Sequence, residues 1–403
     1  MKRTLRRDLA TALAIFYGGW AAPSASGYAF NEIVPDVRQP ASTSRGSACP
    51  VHSHIVTAVP RTSQWSTSLG AKPPTILTQD QTTAGRLNEV EQVITQALAV
   101  WQGVDGAAIR SVSMPMNRTA IQNACGSDGV NSICLDQADL AFTPGVLAFS
   151  RVITADRIGV QIGTGTPSTE VGEILDADVY FNPSDATTTY ATPQALASSP
   201  KAYDLESILT HELGQYLGFS HSAIWNAMMF PYAPTPGTFS GARPSATQPD
   251  APLAEDDRTG LRILYPDPAD TVRAGSISGH ILNANPLSLP ASPPGVTGVF
   301  GAQVIALDVA SGAVVGATMG GYSCSGTRPA NFDGSYVLER LPVGRSYLVY
   351  AEPLNGAVDP SQISNATESL CRNLNTDAGW PAQQSCVVPP VDTSFTVRTR
   401  PGN

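Results

Sequence analysis

A segment near the middle of the chain carries two histidines, a glutamate and a glutamine at a regular spacing. It reads HELGQYLGFSH and runs from His211 to His221. Positions four apart lie on one face of a helix, so His211 and Gln215 point the same way, with Glu212 one step round. Gly218 can end the helix in a left-handed conformation, after which the chain can bring His221 back toward the same point. Two imidazoles, one further ligand and an adjacent carboxylate predict a catalytic zinc site with an open fourth position.

The chemistry expected of such a site is hydrolysis of a peptide bond. Zinc lowers the pKa of a bound water, a carboxylate takes the proton, and the hydroxide attacks a peptide carbonyl. Glu212 is the expected general base and acid. The expected substrates are therefore proteins or peptides.

The spacing resembles the metzincin signature H-E-x-x-H-x-x-G-x-x-H, in which three histidines bind zinc. Residues 227–232 read AMMFPY and are similar to the Met-turn of the matrixins, commonly written A-L-M-Y-P. The resemblance covers about residues 49–267, and its most specific part is residues 204–232. It implies a zinc endopeptidase with Met229 beneath the metal and with zinc held at the positions of His211, Gln215 and His221.

Two flanking segments extend this resemblance. Leu253, Asp256, Asp257 and Tyr265 resemble the closing helix of a matrixin domain. Residues 176–181, DADVYF, resemble the edge strand along which matrixins lay an extended substrate by strand addition. The substrate cleft is therefore expected between this strand and the Met-turn.

One position departs from the family pattern, because Gln215 stands where the matrixins have histidine. A glutamine oxygen can reach the metal, but it is a neutral amide oxygen facing an ion that prefers nitrogen and sulfur. Mutating a residue that only hydrogen-bonds to a metal ligand typically lowers metal affinity or activity about 10–100-fold. Replacing a direct ligand should lower them at least as much. Three outcomes are open: a weakened zinc site, a site completed by another group, or an inactive protease that binds peptides.

The sequence has three other histidines, and the helix at residues 204–218 also has an interpretation without a metal. His52 and His54 would share one strand face, as a metal pair or as an ordinary polar face, and we favour the polar face. His280 is expected to be structural. In the alternative without a metal site, the helix packs its leucines into a core and leaves His211 and Glu212 exposed.

The helices and strands predicted around the site indicate an α+β domain with a twisted mixed sheet and two long helices. Apolar spacing predicts one helix over residues 86–102, and Asp204 is a good N-cap for the second. Strands are predicted at residues 139–142, 145–154 and 173–181, and a short helix at 256–264. From residue 274, short strands separated by turns indicate a small all-β sandwich that resembles the carboxypeptidase-regulatory-like module.

Composition and the chain start indicate an exported protein. A basic start, an apolar stretch and small residues predict a signal peptide over residues 1–27, with no membrane association after cleavage. The net charge of −9 argues against nucleic-acid binding. We expect a monomer in an extracellular or periplasmic location. Calcium could bind Asp-rich loops, although no EF-hand spacing supports it. A non-catalytic wall protein that binds carbohydrate through the sandwich is a further alternative.

The expected organisation follows from these boundaries. After the signal peptide come a linker (28–50), the matrixin-like domain (51–268), the sandwich (274–354) and an extension (355–403). Six cysteines fit an oxidising compartment. Cys125 and Cys134 could staple one loop, Cys49 is expected in a disulfide, and two of Cys324, Cys371 and Cys386 could pair.

Overall fold

The structure is a computed structural model that describes most of the central part of the chain. Helices and strands with their connections are described over residues 51–56, 63–66, 74–111, 125–135, 145–182, 188–222, 227–237, 252–282, 298–321 and 332–353. Short strands elsewhere are described by their backbone, at residues 11–14, 28–30, 32–33, 116–119 and 398–399. Residues 142 and 224 are described singly.

Within these residues the chain forms four α-helices, one short 3₁₀-helix and nineteen strands. The helices are α1 (Thr83–Gln102), α2 (Pro193–Leu196), α3 (Leu205–Tyr216) and α4 (Glu255–Leu264), and the 3₁₀-helix is Ala108–Ser111. The strands before α3 are β1 (Thr11–Ala14), β2 (Tyr28–Phe30), β3 (Glu32–Ile33), β4 (Val51–His52), β5 (Ser63–Ser66), β6 (Thr75–Leu77), β7 (Met116–Thr119), β8 (Asn131–Cys134), β9 (Val146–Thr154), β10 (Ile174–Phe181), β11 (Thr189–Ala191) and β12 (Tyr203–Asp204). The later strands are β13 (Phe219–Ser222), β14 (Gly275–His280), β15 (Ala302–Asp308), β16 (Val314–Gly320), β17 (Ser335–Leu341), β18 (Tyr347–Pro353) and β19 (Arg398–Thr399).

The main sheet is mixed and has the order β1-β9-β10-β8-β5-β7. The pairs β10–β8, β8–β5 and β5–β7 are parallel, whereas β9 runs antiparallel to both β10 and β1. Helices α1 and α3 share one hydrophobic core with this sheet, which includes Trp65, Ile94, Ile133 and Leu209. The predicted α+β domain with two long helices and a mixed sheet is present.

The prediction that residues 176–181 form the edge strand is wrong. They belong to β10, which lies between β8 and β9, and every residue of β10 is buried. A strand that is buried on both faces usually has an almost continuous run of apolar residues instead of an alternating pattern. Its place in the sheet depends on pairings that its own sequence does not encode. On the side away from β10, the described neighbour of β9 is the four-residue strand β1.

The two long helices begin and end for local reasons. Thr82 caps α1 by accepting a hydrogen bond from the Gly85 amide. Asp204 caps α3 in the same way, accepting from the Glu206 amide, as its sequence predicts. The Trp101 indole donates to the Thr210 carbonyl at 2.9 Å, which joins α1 to the middle of α3. Helix α3 is thus held from its start and along one side.

The C-terminal strands form two small sheets, β14-β17 and β16-β15-β18-β19. Val304, Val315, Leu338 and Leu341 from both sheets share one buried cluster. The predicted strands are present, and the resemblance to a carboxypeptidase-regulatory-like module stays a prediction. The Thr259 hydroxyl of α4 donates to the Val315 carbonyl at 2.8 Å, so this unit contacts the helix that follows the site.

Several sequence predictions fall outside the described residues. Of the predicted signal peptide, only the backbone of Thr11–Ala14 is described, and the predicted linker includes the short strands β2 and β3. Cys49, Cys324, Cys371, Cys386, nearly all of the predicted strand 139–142 and most of the extension 355–403 are not described. The expected disulfide between Cys125 and Cys134 is present. Among the described helices, none is long and apolar enough to cross a membrane.

Candidate active site

Helix α3 carries three of the predicted site residues into the interior. His211 is 4% exposed, and Glu212 and Gln215 are 0% exposed. The alternative in which the histidine and the glutamate face solvent is therefore wrong. All twelve residues of the helix are buried, which explains why apolar periodicity alone could not separate a packed helix from a site helix.

The turn after α3 returns the chain to the same point. Gly218 has φ +105°, and a Cβ on it would lie 2.0 Å from the Ser53 carbonyl oxygen, so only glycine fits without strain. Strand β13 then carries His221, and the ring centroids of His211 and His221 are 5.5 Å apart. The predicted convergence of the two imidazoles is present.

The side chain of Gln215 lies between the two imidazoles. Its Nε2 is 3.3 Å from His211 Nε2 and 3.1 Å from His221 Nε2. Its Oε1 is buried and has no hydrogen-bond partner among the described residues. The amide therefore occupies the point on which the two imidazole nitrogens converge.

His211 is oriented by a backbone carbonyl. Its Nδ1 donates to the Met228 carbonyl at 2.7 Å, which leaves the lone pair of Nε2 facing Gln215. Burial lowers the pKa of His211 to about 4, only partly offset by that hydrogen bond. The imidazole is thus neutral near pH 7, the state in which histidine binds a metal.

The turn at residues 227–230 lies against α3 through a methionine. Met229 is fully buried, and a Cβ placed on Gly214 would lie 2.3 Å from its Sδ and 2.7 Å from Trp101 Cζ2. Gly214 is therefore needed for the methionine and the indole to approach the helix. Met229 packs against α3 at Gly214, three residues along the helix from His211, and its place beneath a metal stays a prediction.

Two acidic residues of α4 support the site from below. Asp257 accepts hydrogen bonds from the amides of Met228 (2.7 Å), Met229 (3.1 Å) and Ala254 (3.0 Å). Asp256 accepts from the Ser222 hydroxyl at 2.8 Å, next to His221. Burial raises the pKa of Asp256 well above its ordinary value and that of Asp257 to about 6. The sequence placed both in a closing helix but did not indicate these contacts.

Glu212 has one hydrogen-bond donor in the site, which the sequence did not identify. Ser150 of β9 lies 2.8 Å from Glu212 Oε2 and 2.9 Å from the Glu212 carbonyl oxygen, and its single hydroxyl proton can serve one of them at a time. The other oxygen, Oε1, is buried without a partner among the described residues. Burial raises the pKa of Glu212 to about 8, and the Ser150 hydroxyl opposes this shift. A serine within a strand carries no local signal for such a role.

The side chains around this point supply part of the donor set that a zinc ion requires. Among the described residues, no group of three or more His, Cys, Asp or Glu side chains is arranged to hold a metal. His211 and His221 supply two nitrogens, and Gln215 supplies an amide whose unpartnered oxygen would face the same point after a rotation. Two nitrogens and one oxygen fit zinc, with glutamine the weakest of the three donors. His54 is not part of this set, because its Nε2 pairs with Glu170 at 2.7 Å.

Comparison with known proteins finds a family match over the part of the chain that carries this site. The family model of the matrixins, a family of metallopeptidases, matches residues 159–266. This segment is matrixin-like. The match begins within the connection between β9 and β10 and includes α3, β13, the 227–230 turn and α4.

Two plant enzymes are similar to part of the chain. Metalloendoproteinase 1-MMP of Arabidopsis thaliana is 34% identical over 113 residues, covering 25% of this chain and 28% of that protein. Metalloendoproteinase 1 of Glycine max is 36% identical over 92 residues, covering 23% and 24%. The chain thus spans about a quarter of the length of these relatives. The similarity supports a metalloprotease, and the family-model match ends at residue 266, before the C-terminal sheets.

Proposed function

We propose that this chain is an exported zinc-dependent endopeptidase that hydrolyses protein or peptide substrates, with zinc affinity weakened by Gln215. The observation that carries the proposal is the convergence of His211 Nε2 and His221 Nε2 on one buried point beside Glu212. The matrixin match over the same residues supports it. Export rests on the N-terminal sequence pattern.

Three side chains would hold the metal in this proposal. His211 and His221 supply imidazole nitrogens, and Gln215 supplies its amide oxygen after rotation. The Met228 carbonyl fixes the tautomer of His211 by accepting from Nδ1 at 2.7 Å. A bound zinc ion supplies Lewis-acid polarisation of water and of the peptide carbonyl.

Glu212 is the proposed proton carrier. Its carboxyl group is buried, and its Oε1 has no partner among the described residues, so in this proposal that oxygen exchanges a proton with water or a leaving amine. Ser150 orients the other oxygen through its hydroxyl. In the metal-free chain burial holds the Glu212 pKa near 8, and a nearby cation would favour the carboxylate that a general base requires.

The substrate would lie along β9 rather than β10, because β9 supplies Ser150 and is the outer long strand of the sheet. Among the described residues, its outer edge pairs with Thr11–Ala14, which belong to the predicted signal peptide. Removal of that peptide on export would free the edge for an added strand. Monomeric state, calcium binding and an adhesion or stability role for the C-terminal sheets remain predictions.

A second candidate is a non-catalytic peptide-binding protein with a matrixin-like fold. The observation in its favour is that Gln215 Nε2, which cannot bind a metal, occupies the point of convergence. In this case the cleft beside β9 would bind extended peptides without cleaving them.

Bound zinc and peptide cleavage, measured on the same preparation, distinguish the two candidates. The chain starting at residue 28 would be dialysed against buffer with a trace of zinc and then analysed for metal per chain, beside Gln215→His and Glu212→Ala. The endopeptidase proposal expects bound zinc, cleavage of a denatured protein substrate, faster cleavage by Gln215→His, and none by Glu212→Ala. Zinc binding and cleavage confined to Gln215→His would favour the peptide-binding protein, and metal in no variant would exclude the zinc mechanism.

A further inference from the structure

The orientation of the Gln215 amide follows from its surroundings. His211 Nδ1 faces a carbonyl and must carry the proton, so Nε2 presents a lone pair to Gln215. The opposite amide orientation would place the Oε1 lone pairs against that lone pair. A side-chain NH₂ group has two protons, and Gln215 Nε2 has two imidazole nitrogens at 3.3 Å and 3.1 Å. The amide therefore donates one proton to His211 Nε2, and it donates the other to His221 Nε2 when that ring carries its proton on Nδ1.

This pairing of the amide with the histidines needs no metal, while Gln215 Oε1 stays without a partner among the described residues. The two Nε2 atoms that would bind zinc are satisfied by one amide, and His211, Gln215 and His221 are each at most 4% exposed. Because a lone pair cannot serve a metal and a hydrogen bond together, zinc can bind only after both hydrogen bonds break. The amide must then rotate to offer the oxygen in place of the nitrogen.

We propose that Gln215 is an internal substitute for the metal, which holds the two histidines in place in the metal-free protein and competes with zinc for them. The inference rests on the proposed function only in that it uses the same zinc site. It gives the glutamine a role that a weakened ligand would not have: removing its side chain should strengthen zinc binding instead of weakening it.

The test compares zinc affinity and metal-free stability across variants of Gln215 in the chain starting at residue 28. Gln215→Ala removes the competing amide and leaves space for a water as third ligand. We expect it to bind zinc about tenfold more tightly than the unmodified protein, the ratio that two net hydrogen bonds would give. Affinity would be measured by competition with a chromogenic zinc chelator.

A second variant, Gln215→Leu, keeps most of the side-chain bulk and removes the two N–H groups. It leaves both imidazole nitrogens without the amide donor, so the melting temperature in the presence of a chelator should fall by about 5 °C. These measurements need only a folded metal-free protein and remain informative if Gln215→Ala does not fold.

Equal or weaker zinc binding by Gln215→Ala would overturn the inference, since the amide oxygen would then be a net ligand. Unchanged metal-free melting of Gln215→Leu would overturn it as well. Neither readout involves peptide cleavage. If every variant behaves as expected but none cleaves peptides, the proposed endopeptidase activity fails and the inference about Gln215 stands.

Discussion

The Asp257 carboxylate lies directly beneath Met228, whose amide donates to Asp257 Oδ2 at 2.7 Å. The carbonyl of the same methionine accepts from His211 Nδ1. One peptide segment thus links an acidic residue of α4 to a histidine of α3. Because α4 also contacts the C-terminal sheets through Thr259, the support of the site extends into the second unit of the chain.

Asp257→Ala should destabilise the protein by about 3 kcal/mol, because three amides, two of them buried, lose their acceptor. The free energy of unfolding would be measured by urea denaturation of the metal-free protein. Asp257→Asn is the matched control, since its carbonyl oxygen can still accept from the turn, and it should lose less. Equal losses in the two variants would show that charge, and not the hydrogen bonds to the turn, is what stabilises this region.

The parts of the fold that the sequence predicts are those with local causes. Asp204 is an N-cap in the sequence and caps α3 in the structure, and apolar spacing indicates α1 to within three residues of its observed start at Thr83. The spacing from His211 to His221 predicts their convergence, because a helix and one glycine turn fix both positions. No distant part of the chain is needed for these inferences.

The parts that the sequence does not predict depend on contacts between distant residues. The place of β10 inside the sheet depends on its pairing with β8 and β9, and its own residues read equally well as an edge. Ser150 is 62 positions from Glu212, and a serine in a strand has no pattern that marks it as a partner. The hydrogen bonds of Gln215 to both histidines require coordinates, since the sequence gives only the type of side chain.

Gly214→Ala should destabilise the domain by about 2 kcal/mol, because the new methyl group would meet Met229 Sδ at 2.3 Å and Trp101 Cζ2 at 2.7 Å. The gain in helix propensity of alanine over glycine is only about 1 kcal/mol and does not offset the clash. Thermal unfolding would measure the change. Gly126→Ala is the control, since nothing lies within 4 Å of a Cβ at that position. A more stable Gly214→Ala variant would mean that Met229 can move away from the helix at little cost.

Ser150→Ala should lower peptide cleavage about tenfold while leaving zinc affinity unchanged. The substitution removes the donor to Glu212 Oε2 at 2.8 Å and does not touch the three proposed metal ligands. A loss of one hydrogen bond to a charged group corresponds to about 1.5–3 kcal/mol. Cleavage rates and zinc affinity would be measured on one preparation. Ser198→Ala is the control, because that hydroxyl donates only to the Ala195 carbonyl. Reduced zinc affinity in Ser150→Ala would place the serine in the support of the metal ligands instead.

Glu212 should make the metal-free protein less stable as the pH rises toward 8. Its folded pKa is raised to about 8 by burial, whereas the ordinary value is 4.5, so the folded chain keeps a proton that the unfolded chain releases. The stabilisation is therefore full below about pH 4.5 and falls by at most about 1.4 kcal/mol per pH unit until the folded pKa is passed. The pKa of His211 is lowered from its ordinary value of 6.5 to about 4. This histidine therefore has the opposite effect, and makes the folded protein more stable as the pH rises between these two values.

The comparison with Glu212→Gln isolates this contribution, because the glutamine has the same shape and does not titrate. Urea denaturation from pH 5 to pH 8, with a chelator present, should show the unmodified protein losing on the order of 2 kcal/mol relative to the variant. His211, Asp256 and Asp257 titrate in both proteins, so their effects cancel to first order in the difference. Parallel stability curves would mean that Glu212 is already ionised across this range, with a water or a neighbouring group satisfying its charge.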